Sequence, residues 1–291
     1  MITAGAFPMP QRVLTSTDPN EHERLAAFAV QQVDGANRAV AVLEPLWRRA
    51  RSDEERIRAL ETAHAAVVGW RYELALRSRS KHVYDHVVGA ERFLLQMNEL
   101  TLNWDRLNPT AKDGVDTPGA RTMRAVEAMA RRQFAHLPQL DTLNRVVDIN
   151  GGPRFGTTLV RGLAARDVAG LLTKRLAARG ITDVDFGDDP LFARVPCDAN
   201  RAMFFRQALA LLARVDGRGT EPRDRWYEAL YLLLLSPKYK RGGDAVARTF
   251  AVAAAEIVLA GDIPPFTHDV DFRAFVLPQP EFLLEQGHTG N

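Results

Sequence analysis

The chain contains very little cysteine and very little lysine. Each shortage limits the kinds of bond or site that the chain can form. Cys197 is the only cysteine among 291 residues, which excludes an internal disulfide and any thiolate-rich metal site and fits a reducing compartment. Only five of the 38 basic residues are lysines, so nearly all positive charge is carried by arginine. Two of those lysines, Lys238 and Lys240, stand in one short segment.

The sequence also lacks an excess of charge of either sign and any long apolar run. Lys and Arg total 38 against 36 for Asp and Glu, a formal charge of +2, which is too small to predict binding to nucleic acid or to a membrane surface. The longest apolar runs, such as 229–235, are far shorter than a membrane span, and residues 1–17 show no secretory signal. We therefore expect a cytoplasmic protein without a membrane partner. Delivery by a dedicated secretion system has no signal that can be recognised in the sequence.

What the sequence does contain is the periodicity of a mainly α, globular protein. Apolar residues make up 46% and charged residues 25%, a balance typical of a packed core with a solvated surface. The helical spacing of apolar residues predicts helices over about 19–51, 52–77, 82–104, 120–134, 163–179, 198–215, 222–235 and 244–260, the last ended by Gly261. Alternation with a period of two at 181–186 predicts one short strand.

Two loops divide the chain into three predicted regions. The stretch 108–119 carries two prolines and two glycines, and a second punctuated segment spans 148–156. Short connections between long amphipathic helices favour antiparallel packing. We therefore expect a bundle-like helical region over 1–110, a connecting region over 111–160, and a helical domain with at most a short β element over 161–291.

One loop concentrates the chemistry of the chain. Residues 236–244 read Ser-Pro-Lys-Tyr-Lys-Arg-Gly-Gly-Asp and lie between two strongly apolar helical segments. A turn held between buried helices has a fixed backbone, and Gly242 and Gly243 would let that backbone approach a ligand closely. The basic side chains and the free amides of the following helix suit a phosphate group. A solvated turn with ordinary surface charges is the alternative that this composition leaves open.

The order of elements around this loop resembles the Fic/Doc family of nucleotide- and phosphate-transferring proteins. In that family a helix enters a loop of pattern His-x-Phe-x-(Asp/Glu)-Gly-Asn-Gly-Arg-x-x-Arg, which continues as a buried helix. With Arg248 as the final arginine, Tyr239 falls at the aromatic position and Gly242 at the first glycine. The resemblance covers about residues 192–266 and implies a Fic-like, all-α domain, the Fido fold, in the C-terminal region.

The same placement shows where the chain departs from the family's pattern. Pro237 or Ser236 stands where the family has its catalytic histidine, the general base, and Arg241 stands where it has a metal-binding acid. Gly243 replaces the asparagine, Asp244 the second glycine and Ala245 the first arginine. The resemblance therefore implies a degenerate transferase or an effector acting on a protein target, in which the family's usual transfer chemistry is absent or changed.

The prediction that follows is a site for a nucleotide or another phosphorylated ligand, with its catalytic residues and cofactors left open. The ligand-binding residues predicted from the loop and from the resemblance are Lys238, Tyr239, Lys240, Arg241, Gly242, Gly243 and Arg248. A non-enzymatic, all-helical interaction protein is the first alternative. In that case Trp47, Trp70 and Trp104 and the N-terminal helices would supply a core and a partner-binding face.

A metal-dependent oxidoreductase is the second alternative. Glu61-x-x-His64 has the spacing that carboxylate-bridged di-iron bundles use, because residues three apart share a helical face. His82 and His86 would lie one helical turn apart, as ligands of zinc or iron do. Such pairs occur often by chance, so no metal site is predicted and this function is kept in reserve.

Overall fold

The computed structural model describes residues 1–8, 18–77, 104–109, 118–178, 180–215, 217–239 and 242–288. Within these ranges the chain is mainly helical, as predicted, with one small antiparallel sheet. The helices are α1 (Pro19–Arg49), α2 (Asp53–Arg77), α3 (Pro118–Phe134), α4 (Gly162–Ala177), α5 (Asp198–Ala213), α6 (Thr220–Leu235), α7 (Gly243–Val258), α8 (Val270–Val276) and α9 (Gln279–His288). The strands are β1 (Trp104–Arg106), β2 (Thr142–Ile149), β3 (Gly152–Val160) and β4 (Phe192–Arg194).

The first two helices begin where their capping residues predict. The Asp18 side chain accepts a hydrogen bond from the amide of Asn20 at 2.9 Å, and the next residue, a proline, opens α1. The amide of Glu55 donates to Ser52 Oγ at 3.2 Å ahead of α2. The two helices pack closely enough that a Cβ on Gly35 would lie 2.5 Å from the buried ring of Trp70. This contact makes Trp70 part of the core between them.

The sheet is larger than the short β element that the sequence predicts. Its strand order is β1-β4-β3-β2, and every neighbouring pair is antiparallel. The 148–156 segment is the tip of the β2–β3 hairpin, with Asn150 at φ 53° and Gly151 at φ 76°, as a two-residue hairpin turn requires. The strand predicted at 181–186 is wrong, since those residues join no ladder.

Helices α6 and α7 form the centre of the protein. From Trp226 to Leu235 every residue of α6 except Glu228 is buried, and α7 is almost as fully enclosed. A helix that is apolar on all sides must be covered on all sides. Two buried aromatic side chains of α6 are satisfied by the backbone: Trp226 Nε1 donates to the Ala251 carbonyl at 3.0 Å, and the Tyr231 hydroxyl donates to the Leu277 carbonyl at 3.3 Å. The segment between these helices is therefore anchored at both ends.

One hydrophobic cluster includes residues of α1 and α2 together with residues of α5, α6 and α7. The boundaries of the three regions predicted above, 1–110, 111–160 and 161–291, stay a prediction. The helix predicted over 82–104 lies almost wholly outside the described residues, and Trp104 at its end begins β1. No helix within the described ranges is long and apolar enough to cross a membrane.

Candidate ligand-binding pocket

A pocket of about 510 Å³ opens between α2, α5 and the segment that follows α6. This volume lies within the range of small-molecule sites in proteins. Its walls are formed by Glu61, His64, Ala65, Val68, Asp198, Arg201, Ala202, Phe205, Arg206, Ser236, Lys238 and Tyr239. The pocket therefore joins two features that the sequence shows far apart, the Glu61-x-x-His64 pair and the start of the basic loop.

Helical periodicity explains which residues of α2 and α5 reach the pocket. The α2 wall consists of positions 61, 64, 65 and 68, and the α5 wall of positions 198, 201, 202, 205 and 206. Each set follows the i, i+3, i+4, i+7 spacing of one helical face. Glu61 and Arg206 lie at the exposed rim, Asp198, Phe205 and His64 are partly buried, and Arg201 is buried.

The loop itself is closed by a tight contact between its two ends. Ser236 is buried and its hydroxyl donates to the Leu233 carbonyl at 3.1 Å, which fixes the exit from α6. Gly242 caps α7 with φ at 71°, a left-handed conformation that favours glycine. A Cβ on Gly243 would lie 2.9 Å from Pro237 Cβ. Gly243 thus permits the loop to close on itself, a use that the sequence does not reveal.

A recess of about 20 Å³ lies beneath the loop and reaches Gly243, in the first turn of α7. It shares His64, Phe205 and Tyr239 with the main pocket. A space of this size holds about one water molecule, so a phosphate group does not fit there. Gly243, in the first turn of α7, therefore lines a space for water, whereas the main pocket has room for an anionic group.

Among the residues that line the pocket, His64 has the pKa that is shifted most from its ordinary value. Its ring lies edge-on to Phe205 at 4.7 Å and to Phe250 at 5.2 Å between centroids. Burial, and after it the positive charge of Lys238, lowers the pKa of His64 to about 4. The imidazole is therefore neutral at physiological pH.

The cations of the pocket divide into one that is paired and two that are not. Arg201 is 6% exposed; it donates to the Pro196 carbonyl at 2.8 Å and to Asp198 at 2.6 Å. Lys238 and Arg206 make no ion pair or hydrogen bond within the described part of the chain. Lys238 Nζ lies 5.6 Å from the ring centre of Tyr239, a weak cation–π contact.

The predicted ligand-binding residues lie in three different settings. Lys238 and Tyr239 line the pocket, and Gly243 lines the recess. Lys240 and Arg241 lie outside the described residues. Gly242 is a helix cap, as given above.

Arg248 is placed away from the pocket, within the core. It is 7% exposed, donates to the His268 carbonyl at 3.1 Å, and forms an ion pair with Asp271 of α8. Burial raises the pKa of Asp271, and the Arg248 charge opposes that effect. A charge used in this way holds α7 to α8.

Sequence reasoning missed the contribution of α5. The sequence predicts the helical period of α5, and that period places Arg201, Phe205 and Arg206 on one face of the helix. It does not show that this face lies opposite α2. Glu61 and His64 were considered only as metal ligands. They share the pocket wall with Lys238, and no group of three or more His, Cys, Asp or Glu side chains in the described ranges is arranged to hold a metal. His82 and His86 lie outside those ranges.

A scan against protein-family models gives no match to this chain, and a search of curated proteins gives none either. The function of this chain is therefore inferred from the geometry of the pocket and from the residues of the loop.

Proposed function

We propose that this protein binds a nucleotide or another phosphorylated small molecule in the pocket between α2, α5 and the loop, within a Fic-like helical domain. The observation that carries the proposal is the convergence of Lys238, from the basic loop, with Arg206, from α5, on one 510 Å³ cavity. Neither cation has an ionic partner among the described residues. An anionic ligand would supply the missing partner for both.

The other walls of the pocket suit the uncharged part of such a ligand. Phe205, Tyr239 and Val68 present apolar surface, and the two aromatic rings offer faces or edges to a flat base. Glu61 is exposed at the rim and has no partner within the described ranges, so its carboxylate is available to sugar hydroxyl groups.

The proposal concerns binding and not the transfer reaction of the Fic/Doc family. The loop carries Pro237 or Ser236 where that family has its general base. His64 enters the same space from α2, but a group with a pKa near 4 is a poor proton acceptor in catalysis at neutral pH.

Calorimetric titration of the full chain with ATP, GTP, CMP and UDP-sugars tests the proposal. We expect at least one of them to bind, and expect Lys238→Ala and Arg206→Ala each to weaken that binding about tenfold, the usual worth of a charged contact to phosphate. Lys174→Ala is the matched control, because it removes one positive charge from the exposed surface of α4, away from the pocket.

Two results would contradict the proposal. One is the failure of every nucleotide and sugar nucleotide to bind. The other is an affinity that Lys238→Ala and Arg206→Ala change no more than the Lys174→Ala control does.

A further inference from the structure

His64 lies where the main pocket meets the recess under the loop, since its side chain lines both spaces. The edge contacts with Phe205 at an interplanar angle of 60° and with Phe250 at 87° hold the ring on two sides. Aromatic contacts of this kind restrict the orientation of a ring. The direction in which His64 presents its nitrogen atoms is therefore set by packing.

The imidazole nitrogen atoms of His64 have no hydrogen-bond partner among the described residues. They are also not sealed in the protein, in contrast to His268 Nε2, which is both buried and unpaired. A polar group that borders a cavity and has no protein partner is satisfied by water or by a ligand. The pocket thus offers a ligand a hydrogen-bonding group that the fold does not use.

The charge state of the ring decides what that group can do. The aromatic surroundings and the nearby Lys238 ammonium oppose a second positive charge, so the ring is neutral and has one donor nitrogen and one acceptor nitrogen. Lys238 and Arg206 can only donate, whereas His64 can accept from a position closer to the core.

We infer that His64 determines which ligand this pocket selects, because its free ring nitrogen accepts a hydrogen bond from an N–H or O–H group of the bound nucleotide. The inference rests on the proposed function of the site. It places the phosphate at the rim, with Lys238 and Arg206, and a donor of the base or of the sugar at the floor, with His64. A site built to accept such a bond discriminates against an analogue that lacks the donor.

The test compares AMP with three analogues, each lacking one donor: purine riboside 5′-monophosphate, 2′-deoxy-AMP and 3′-deoxy-AMP. In the wild-type chain we expect one analogue to bind about three- to tenfold more weakly than AMP, the usual worth of one neutral hydrogen bond. His64→Phe keeps an aromatic ring and removes the acceptor, so we expect the ratio of the dissociation constants of that analogue and AMP to fall to about one. His64→Gln returns an acceptor, and we expect part of the preference to return.

The outcomes separate this inference from the proposed function. Failure of all four adenine nucleotides to bind the wild-type chain overturns the role of His64; it contradicts the proposed function as well only when ATP, GTP, CMP and the UDP-sugars also fail to bind. If AMP binds and no analogue is discriminated, or if His64→Phe leaves the ratio unchanged, only the role of His64 is overturned. A loss of affinity in His64→Phe that is equal for all four ligands also overturns it, because a structural role would have that effect. Circular dichroism of both variants verifies that they are folded.

Discussion

The partly buried imidazole of His64 should make the stability of the whole fold depend on pH, and substitution of this one residue should remove that dependence. Its pKa is about 4 in the folded protein, against an ordinary value of about 6.5 for an exposed histidine. Between these values the unfolded chain binds a proton that the folded protein refuses. The stabilising contribution of a neutral His64 is therefore complete above about pH 6.5 and is lost as the pH falls towards 4.

The magnitude follows from the size of the shift. If the full pKa shift of His64 is realised, the free energy of unfolding is about 2 kcal/mol lower at about pH 5 than above about pH 6.5. One side of the ring borders an open pocket, where solvent screens part of the effect, so we expect about 1 kcal/mol. Carboxyl groups with a raised pKa, such as Asp271, contribute to the wild-type and variant chains alike and cancel in the comparison.

Urea unfolding of the wild-type chain and of His64→Gln, each at about pH 7.5 and about pH 5, measures this difference. The wild-type chain should lose about 1 kcal/mol more than the variant between the two conditions. His136→Gln is the matched control, because His136 is exposed in the turn after α3. Equal losses in wild type and His64→Gln, to within about 0.3 kcal/mol, would refute the assignment of a partly buried neutral imidazole.

Further substitutions test the packing of the helices and of the core. Gly35→Ala should destabilise the protein by about 1–3 kcal/mol, because the new Cβ would meet the Trp70 ring at 2.5 Å. Gly69→Ala should instead stabilise α2 by up to about 1 kcal/mol, because Gly69 has open space around it. Thermal unfolding of the two variants measures both effects. Arg248→Met should cost about 3–5 kcal/mol because it leaves the Asp271 side chain, which is 18% exposed, without its cation. The same assay should show stability largely restored when Asp271 is also replaced by leucine, and no restoration would contradict the pairing.

The helices could be predicted from the sequence because their signals are local. The acid that caps α1, the capping box before α2 and the apolar periods place most helix limits within a few residues of those observed. The hairpin was missed because its tip, rich in glycine and proline, has the composition of a loop. Its two strands are paired along almost their whole length, and such pairing depends on a neighbouring strand that a local pattern does not show.

The pocket could be predicted only in part, since it depends on which helical faces meet. Lys238 and Tyr239 were identified from composition and context, and both line the cavity. Arg206 and His64 could not be joined to them from the sequence, because α2 and α5 are far apart along the chain and come together only through the shared core. The predicted role of Arg248 rested on the resemblance alone and took no account of Asp271.

Two kinds of basic residue can be distinguished by their ion pairs and hydrogen bonds: those that stabilise the fold and those that are available to a ligand. Arg248 and Arg201 are buried, and each already has a carboxylate and a backbone carbonyl as partners. To recruit either of them, a ligand would have to replace bonds that stabilise the folded state, at a cost of several kcal/mol. Lys238 and Arg206 carry no such cost, because they face the pocket without a partner in the described part of the chain. Among the described residues, the binding energy of an anion at this site must therefore come mainly from these two side chains, whereas substitution of Arg201 or Arg248 should act first on stability.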